Sequence, residues 1–291
     1  MGPSESKESI KFGYFLVAFI DILDQRASLR SLTDLPENDK EKEEFIQTIK
    51  NTFGAVDGIR KWFSSFYDQF VNSNEALPAS LSDEQRKMFA RLKATDVRFQ
   101  YFGDTIIMYV SLDRDLESKA INGIYAALLA SGITVLCSLA ARRPLRGAID
   151  VGIGGEMYKG EIYGSCLINA FDLETKVAQY PRIVVGDNAI SFLMYLVNKQ
   201  IQEPNDLFPM YEKAMADTCL SMLAKDIDGH SIVDYLGSGF QNLIKTTKVE
   251  DDLVPKAFEF VQEQATRWQQ EKSTELAFRY NLLRQYFAAR I

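Results

Sequence analysis

The sequence predicts an α+β fold organised around a βαββαβ unit, with added helices and a mostly helical C-terminal extension. Three observations carry that reading. Two runs rich in β-branched and aromatic residues, 15–23 and 99–109, read as buried strands, and each is interrupted by one carboxylate, Asp21 and Asp104. Long segments between and after them carry apolar residues at helical spacing. The order of these elements places a β-hairpin in the middle of the unit, as a βαββαβ arrangement does.

Residues 1–11 form a polar lead with no signal-peptide stretch, and a strand follows at about 13–23. Residues 33–44, rich in Asp, Glu, Lys and Pro, read as a solvated loop entering a helix. Phe45, Ile49, Phe53, Val56, Ile59, Phe63, Phe66 and Phe70 then recur at helical spacing. They predict one long amphipathic helix or two in series, kinked at Gly54 or Gly58, whose stripe is core or dimer interface. Pro78 breaks the chain, and Ser82-Asp83-Glu84-Gln85 opens a short capped helix.

Residues 96–111 read as a hairpin with Gly103-Asp104 at its tip. A helix over 116–141 ends at Arg142-Arg143-Pro144, whose charges complement the helix dipole. Residues 145–153 predict a strand, and Gly154-Gly155 and Gly160 a turn into 161–164. A helix at 165–178, a short strand at 181–185 and a helix at 187–201 complete a domain over 12–203. Pro204 and Pro209 mark a soft boundary. Beyond it, 204–291 reads as an extension packed on the domain, mixed at 206–236 and helical at 253–289.

At 291 residues, 46% hydrophobic and 12% aromatic, the chain can bury a real core. A net charge of −7 argues against a nucleic-acid-binding face, which must be basic. A nucleotide is a different matter, because a metal and a few arginines neutralise a triphosphate locally. Cys137, Cys166 and Cys219 are far apart in apolar segments and read as buried free thiols. With the single His230 in a turn, they offer no zinc site. No uninterrupted apolar run of about 20 residues exists, so no membrane span is expected and the cytoplasm is the expected location.

A lone buried carboxylate is costly unless it is paired or binds a metal. Asp21 and Asp104, brought together on adjacent strands, would make a magnesium or manganese site for a nucleoside triphosphate. Taken alone, Asp21 also reads as a strand-end cap, Asp104 as a turn residue, and Arg146 as a strand residue paired with Asp150.

The order strand–Asp21, hairpin–Asp104, Arg146-Gly147-Ala148-Ile149-Asp150-Val151-Gly152 and Gly164-Ser165-Cys166-Leu167-Ile168-Asn169-Ala170 resembles class III nucleotidyl cyclases. The segments Ala18-Phe19-Ile20-Asp21-Ile22-Leu23, Ala170-Phe171-Asp172-Leu173-Glu174 and Tyr180-Pro181-Arg182-Ile183-Val184 are closer still to the pyrimidine cyclases of bacterial Pycsar anti-phage systems. The resemblance spans roughly residues 12–190. It implies a ferredoxin-like palm that works as a head-to-tail homodimer with composite sites. It also implies two Mg2+ or Mn2+ ions on Asp21, Asp104 and the backbone of Ile22, with Leu23 helping to hold phosphates. Arg146 would contact the phosphates, and Arg98 and Glu161 would read the base from the other subunit. The substrate would be UTP or CTP, with UTP slightly favoured, and the product a second messenger for a separate effector protein.

One departure matters. Purine cyclases carry a transition-state Asn and Arg where this chain has Ile168 and Asp172. Asn169 is one residue out of register, a turn of about 100° on a helix. Arg182 is the candidate stabiliser, with an ion pair to Glu174 or another nearby carboxylate as its plainer reading. A purine cyclase and a catalytically inactive cyclase-fold binding or scaffold protein stay open as alternatives. Gly154-Gly155-Glu156-Met157 is similar to a diguanylate cyclase signature but follows the wrong strand, and reads as a turn.

Overall fold

Strand β1 (Phe12–Ile22) runs through the interior of a mixed sheet in the computed structural model. The structure describes residues 12–23, 32–72, 97–112, 117–158, 160–201, 207–244 and 252–291. In chain order the remaining elements are α1 (Asp39–Asn72), β2 (Val97–Phe102), β3 (Thr105–Ser111), α2 (Glu117–Ala140), β4 (Leu145–Tyr158), β5 (Glu161–Gly164), α3 (Ser165–Lys176) and β6 (Ile183–Val185). Then come α4 (Asp187–Asn198), α5 (Leu207–Ser221), β7 (Leu223–Lys225), β8 (Ser231–Val233), α6 (Ser238–Ile244), α7 (Leu253–Gln270) and α8 (Thr274–Ala288). The fold is α+β, with strand order β2-β3-β1-β4-β6-β8-β7 and β5 paired to the far part of β4. Strand β1 is antiparallel to both β3 and β4, while β4 and β6 are parallel.

From Phe15 to Ile20 the residues of β1 are apolar, because both faces of that stretch are covered. Leu16, Ala18, Ile20 and Ile22 join Ile106, Met108 and Val110 of β3 in the main core, under α1 and α2. Phe15 and Val17 point the other way with Ile107 and Tyr109, and are covered by Ile162 of β5 and by Cys166 and Ala170 of α3. Asp21 has the parity of this second face.

Helix α1 is continuous through Gly54 and Gly58. It begins with a reciprocal cap, in which the Glu41 backbone N–H donates to Asn38 Oδ1 at 3.0 Å and Asn38 Nδ2 to Glu41 Oε1 at 2.8 Å. Val56, Ile59, Phe63 and Tyr67 are buried, but Ile49 and Phe53 at the start of the predicted stripe are exposed. Helix α2 is the central helix of the main core, in contact with α1, α5 and α7. Its segment Ala120–Ala140 has the length and composition of a membrane span, yet 83% of it is buried inside the fold. A helix apolar on all sides suits that position. The break at Pro78 and the capped helix at Ser82 lie outside the described residues.

The sequence places a turn at Gly154-Gly155, and the structure corrects it. Strand β4 continues to Tyr158, pairing Gly154 with Gly164 and Gly155 with Tyr163 of β5. These glycines make room for packing. A Cβ on Gly152 would lie 2.6 Å from Cys166 N and 2.7 Å from Cys166 Cα, so α3 approaches β4 only because that side chain is absent. Gly164, at φ 140, is the left-handed residue that turns β5 into α3.

After β6 the chain stays in the same sheet, because β8 pairs antiparallel with β6 and β7 with β8. Helices α7 and α8 pack as an antiparallel pair, with Phe258 stacked on Phe287 at 5.5 Å. None of the three cysteines is in a disulfide, Cys166 and Cys219 being buried and Cys137 half-buried.

Candidate functional site

The register of β1 builds a polar row across three strands. Asp21 is opposite Thr105 of β3 on one side and Arg146 of β4 on the other. Directly opposed residues of antiparallel strands point to the same face. Thr105 Oγ1 donates to Asp21 Oδ1 at 3.3 Å, and the Arg146 guanidinium stands 4.0 Å from Asp21 Oδ2. Arg146 is held more closely by Glu174 of α3, with Nε 2.6 Å from Oε1. Asp21 is 6% exposed and Glu174 2%, so this row of alternating charge is buried and not on an open surface. Asp150, the partner of Arg146 in its plainer reading as a strand residue, instead accepts hydrogen bonds from the Ala189 backbone N–H at 3.0 Å and from Asn188 Nδ2 at 3.1 Å, at the start of α4.

Asp104 sits in the two-residue turn between β2 and β3, immediately before Thr105, with Gly103 left-handed at φ 58. Continuing the β1–β3 register places Asp104 opposite Ile22, one step from the Asp21 position. Arg60 of α1 fastens this turn. Its guanidinium donates to the Gly103 carbonyl at 2.5 Å and lies 4.5 Å over the Tyr101 ring. Beyond Ile22, the Leu23 N–H donates to the Pro144 carbonyl at 2.9 Å, which keeps the chain beside the start of β4. Asp21, Ile22, Leu23, Asp104 and Arg146 therefore share one end of the sheet.

Comparison with family models, curated proteins and solved structures returns no match.

Three predicted site residues lie elsewhere. Arg98 of β2 is opposite Tyr109 and forms an ion pair with Glu156 of β4. Glu156 also accepts from the Gly160 N–H at 2.6 Å and from the Tyr109 hydroxyl at 3.2 Å. Partial burial works against the Glu156 charge, but Gly160, Arg98 and Tyr109 together hold its carboxyl below the usual glutamate range. Burial, reinforced by that nearby charge, pushes Tyr109 up to about 12. Glu161 is exposed at the start of β5, opposite Tyr158. The acidic partner of Arg98 is thus Glu156, which the sequence presents only as part of a glycine turn.

Arg182 is 3% exposed and its guanidinium is turned to the β7–β8 turn. It contacts Asp226 and Asp228 at 2.5 Å each, donates to the Val177 carbonyl at 2.7 Å, and lies 4.3 Å over the Tyr180 ring. Burial would favour losing the proton, but Asp228, Tyr180 and Asp226 outweigh it and raise the Arg182 pKa. Of the two positions that depart from the purine pattern, Ile168 is exposed and Asp172 pairs with Lys176 at 2.8 Å.

The donor chemistry at the Asp21 end fits a hard divalent ion. Among the described residues no group of three or more His, Cys, Asp or Glu comes together. Magnesium does not need one, since it is commonly held by one or two carboxylates and completed by waters and substrate phosphates. The Arg146 charge beside Asp21 disfavours a bare cation and suits one that arrives with an anionic ligand.

Proposed function

We propose that this protein is a nucleotidyl cyclase that converts UTP or CTP into the 3′,5′-cyclic monophosphate and pyrophosphate. The observation that carries the reading is the row Thr105–Asp21–Arg146, with Asp104 on the adjoining turn, at one end of three neighbouring strands. The strand order β2-β3-β1-β4, with α1 and α2 as the connections, supports a ferredoxin-like palm. Such a palm presents two carboxylates to a triphosphate.

Asp21, Asp104 and the Ile22 carbonyl would hold Mg2+ or Mn2+, which when bound supplies Lewis-acid charge to the reacting oxygens. Arg146 neutralises non-bridging phosphate oxygens through charge-assisted hydrogen bonds. Glu174 fixes the guanidinium for that task. The substrate's 3′-hydroxyl gives its proton to solvent and its oxygen forms a bond to the α-phosphorus as the bond to pyrophosphate breaks, so no protein nucleophile is required. Arg98, oriented by Glu156, is the base-reading cation of a neighbouring copy. Exposed Ile168 and Phe171 on α3 support a second copy covering that helix in a head-to-tail homodimer. The product would act in the cytoplasm on a separate effector protein in anti-phage defence.

The test is incubation with ATP, GTP, CTP or UTP and Mn2+, with products identified by mass spectrometry. A cyclic pyrimidine monophosphate from the wild type, absent with Asp104→Ala, is expected. A cyclic purine product would replace the substrate class, and full activity of Asp104→Ala would sink the two-carboxylate assignment. The lack of a transition-state pair at exposed Ile168 and salt-bridged Asp172 favours a second reading, an inactive cyclase-fold nucleotide binder. That reading expects calorimetric binding of a nucleotide with no turnover.

A further inference from the structure

A cavity of about 510 Å³ opens beside the middle of β4, walled by the first turns of α3, by α4 and by α5. That size lies within the range of small-molecule sites, roughly 300–1,000 Å³. It is distinct from the Asp21 end, since none of Asp21, Asp104 or Arg146 lines it. Its walls are mainly apolar, with the rings of Tyr14, Phe192 and Tyr195 among them.

Polar groups interrupt this apolar wall. Asn169 and Asn188 each bring a side-chain amide. Each donates one N–H to the protein, Asn169 to the Val151 carbonyl at 3.3 Å and Asn188 to Asp150 at 3.1 Å. Among the described residues, each keeps its carbonyl oxygen and its second N–H for another partner. Ser191 adds a hydroxyl. Among the described lining residues there is no arginine or lysine to anchor a phosphate. The one charged group among the described lining residues, Glu212, is 1% exposed and lies 3.6 Å from the Lys199 ammonium.

We propose that this cavity is a binding site for an uncharged nucleoside-sized aromatic heterocycle. The aromatic side chains would stack on or enclose its ring, and the two amides would pair with a ring edge that offers both a donor and an acceptor. An amide side chain reads such an edge by paired hydrogen bonds. A nucleotide is the poorer ligand, because its phosphates would meet an apolar wall and a buried carboxylate.

The experiment is ligand-observed NMR with uridine and with adenosine on the full chain, repeated on Asn169→Ala, Ser191→Trp and Asp104→Ala. At least one nucleoside is expected to bind with a dissociation constant below 1 mM. Ser191→Trp, which fills the cavity, should abolish the signal, and Asn169→Ala should weaken it about tenfold. Asp104→Ala should bind as wild type, which separates this site from the proposed catalytic one. Circular dichroism of each variant reports folding. Absence of binding by both nucleosides at 1 mM overturns the proposal. So does binding that survives Ser191→Trp, or binding lost only in Asp104→Ala.

Discussion

Arg146 stands 2.6 Å from Glu174 but 4.0 Å from Asp21, so the arginine of the polar row is held from the helix and not from the neighbouring strand. Glu174 is almost fully enclosed, which strengthens its pull on the guanidinium. Removing that counter-charge leaves Arg146 with Asp21 as its nearest acid. Glu174→Gln is therefore expected to lower stability by about 3 kcal/mol in urea unfolding, the usual cost of breaking a buried pair. It should also raise the Mn2+ concentration needed for turnover. A stability change below about 0.5 kcal/mol, as for an ordinary surface residue, would mean that Arg146 does not depend on Glu174.

Arg60 is expected to set the order of the turn that carries Asp104. Its bond to the Gly103 carbonyl is a single hydrogen bond with a charged donor, worth about 1.5 kcal/mol. Arg60→Ala should speed amide exchange in the 101–105 hairpin about tenfold while the sheet core keeps its protection. Unchanged exchange at the tip would show that the hairpin holds its own shape.

Arg182 separates a structural from a catalytic role cleanly. Its guanidinium is buried against Asp226 and Asp228, so Arg182→Ala should cost about 3–5 kcal/mol of stability. Arg182→Lys should recover only part of it, because a point charge cannot span both carboxylates as the planar fork does. Loss of turnover at unchanged stability would return Arg182 to the transition state.

Glu156 gives a pH signature. Its folded-state carboxyl is held below the ordinary 4.5, so its stabilisation is fully present above that pH and fades as the pH falls through the lower folded value. Glu156→Gln should be less stable than wild type at pH 7, with the two curves converging below pH 4.5. A constant gap down to pH 3 would show that the charge on Glu156 is not the source of the effect.

Much of this arrangement is written locally in the chain. The apolar runs around Asp21 and Asp104 are strands because both faces are covered, and Gly103-Asp104 is turn chemistry that ends one strand and starts the next. The course of β4 is not written locally. Gly154-Gly155 carries the composition of a turn, and only its pairing with Gly164 and Tyr163 of β5 makes it part of the strand. The partners of Arg182 lie more than forty residues downstream, and Glu156 faces Arg98 from a different strand. Spacing along the sequence holds no record of such pairings. The even stripe along α1 misled in a different way, because Ile49 and Phe53 follow the period but extend past the end of the core.

The pairing of β8 with β6 has a consequence for how this chain tolerates shortening. A protein ended near residue 203 would not be a trimmed version of the whole. It would expose the backbone edge of β6 to any passing strand, an invitation to aggregate. It would also take Asp226 and Asp228 away from the Arg182 guanidinium. The last third of the sequence is in that sense an internal part of the fold.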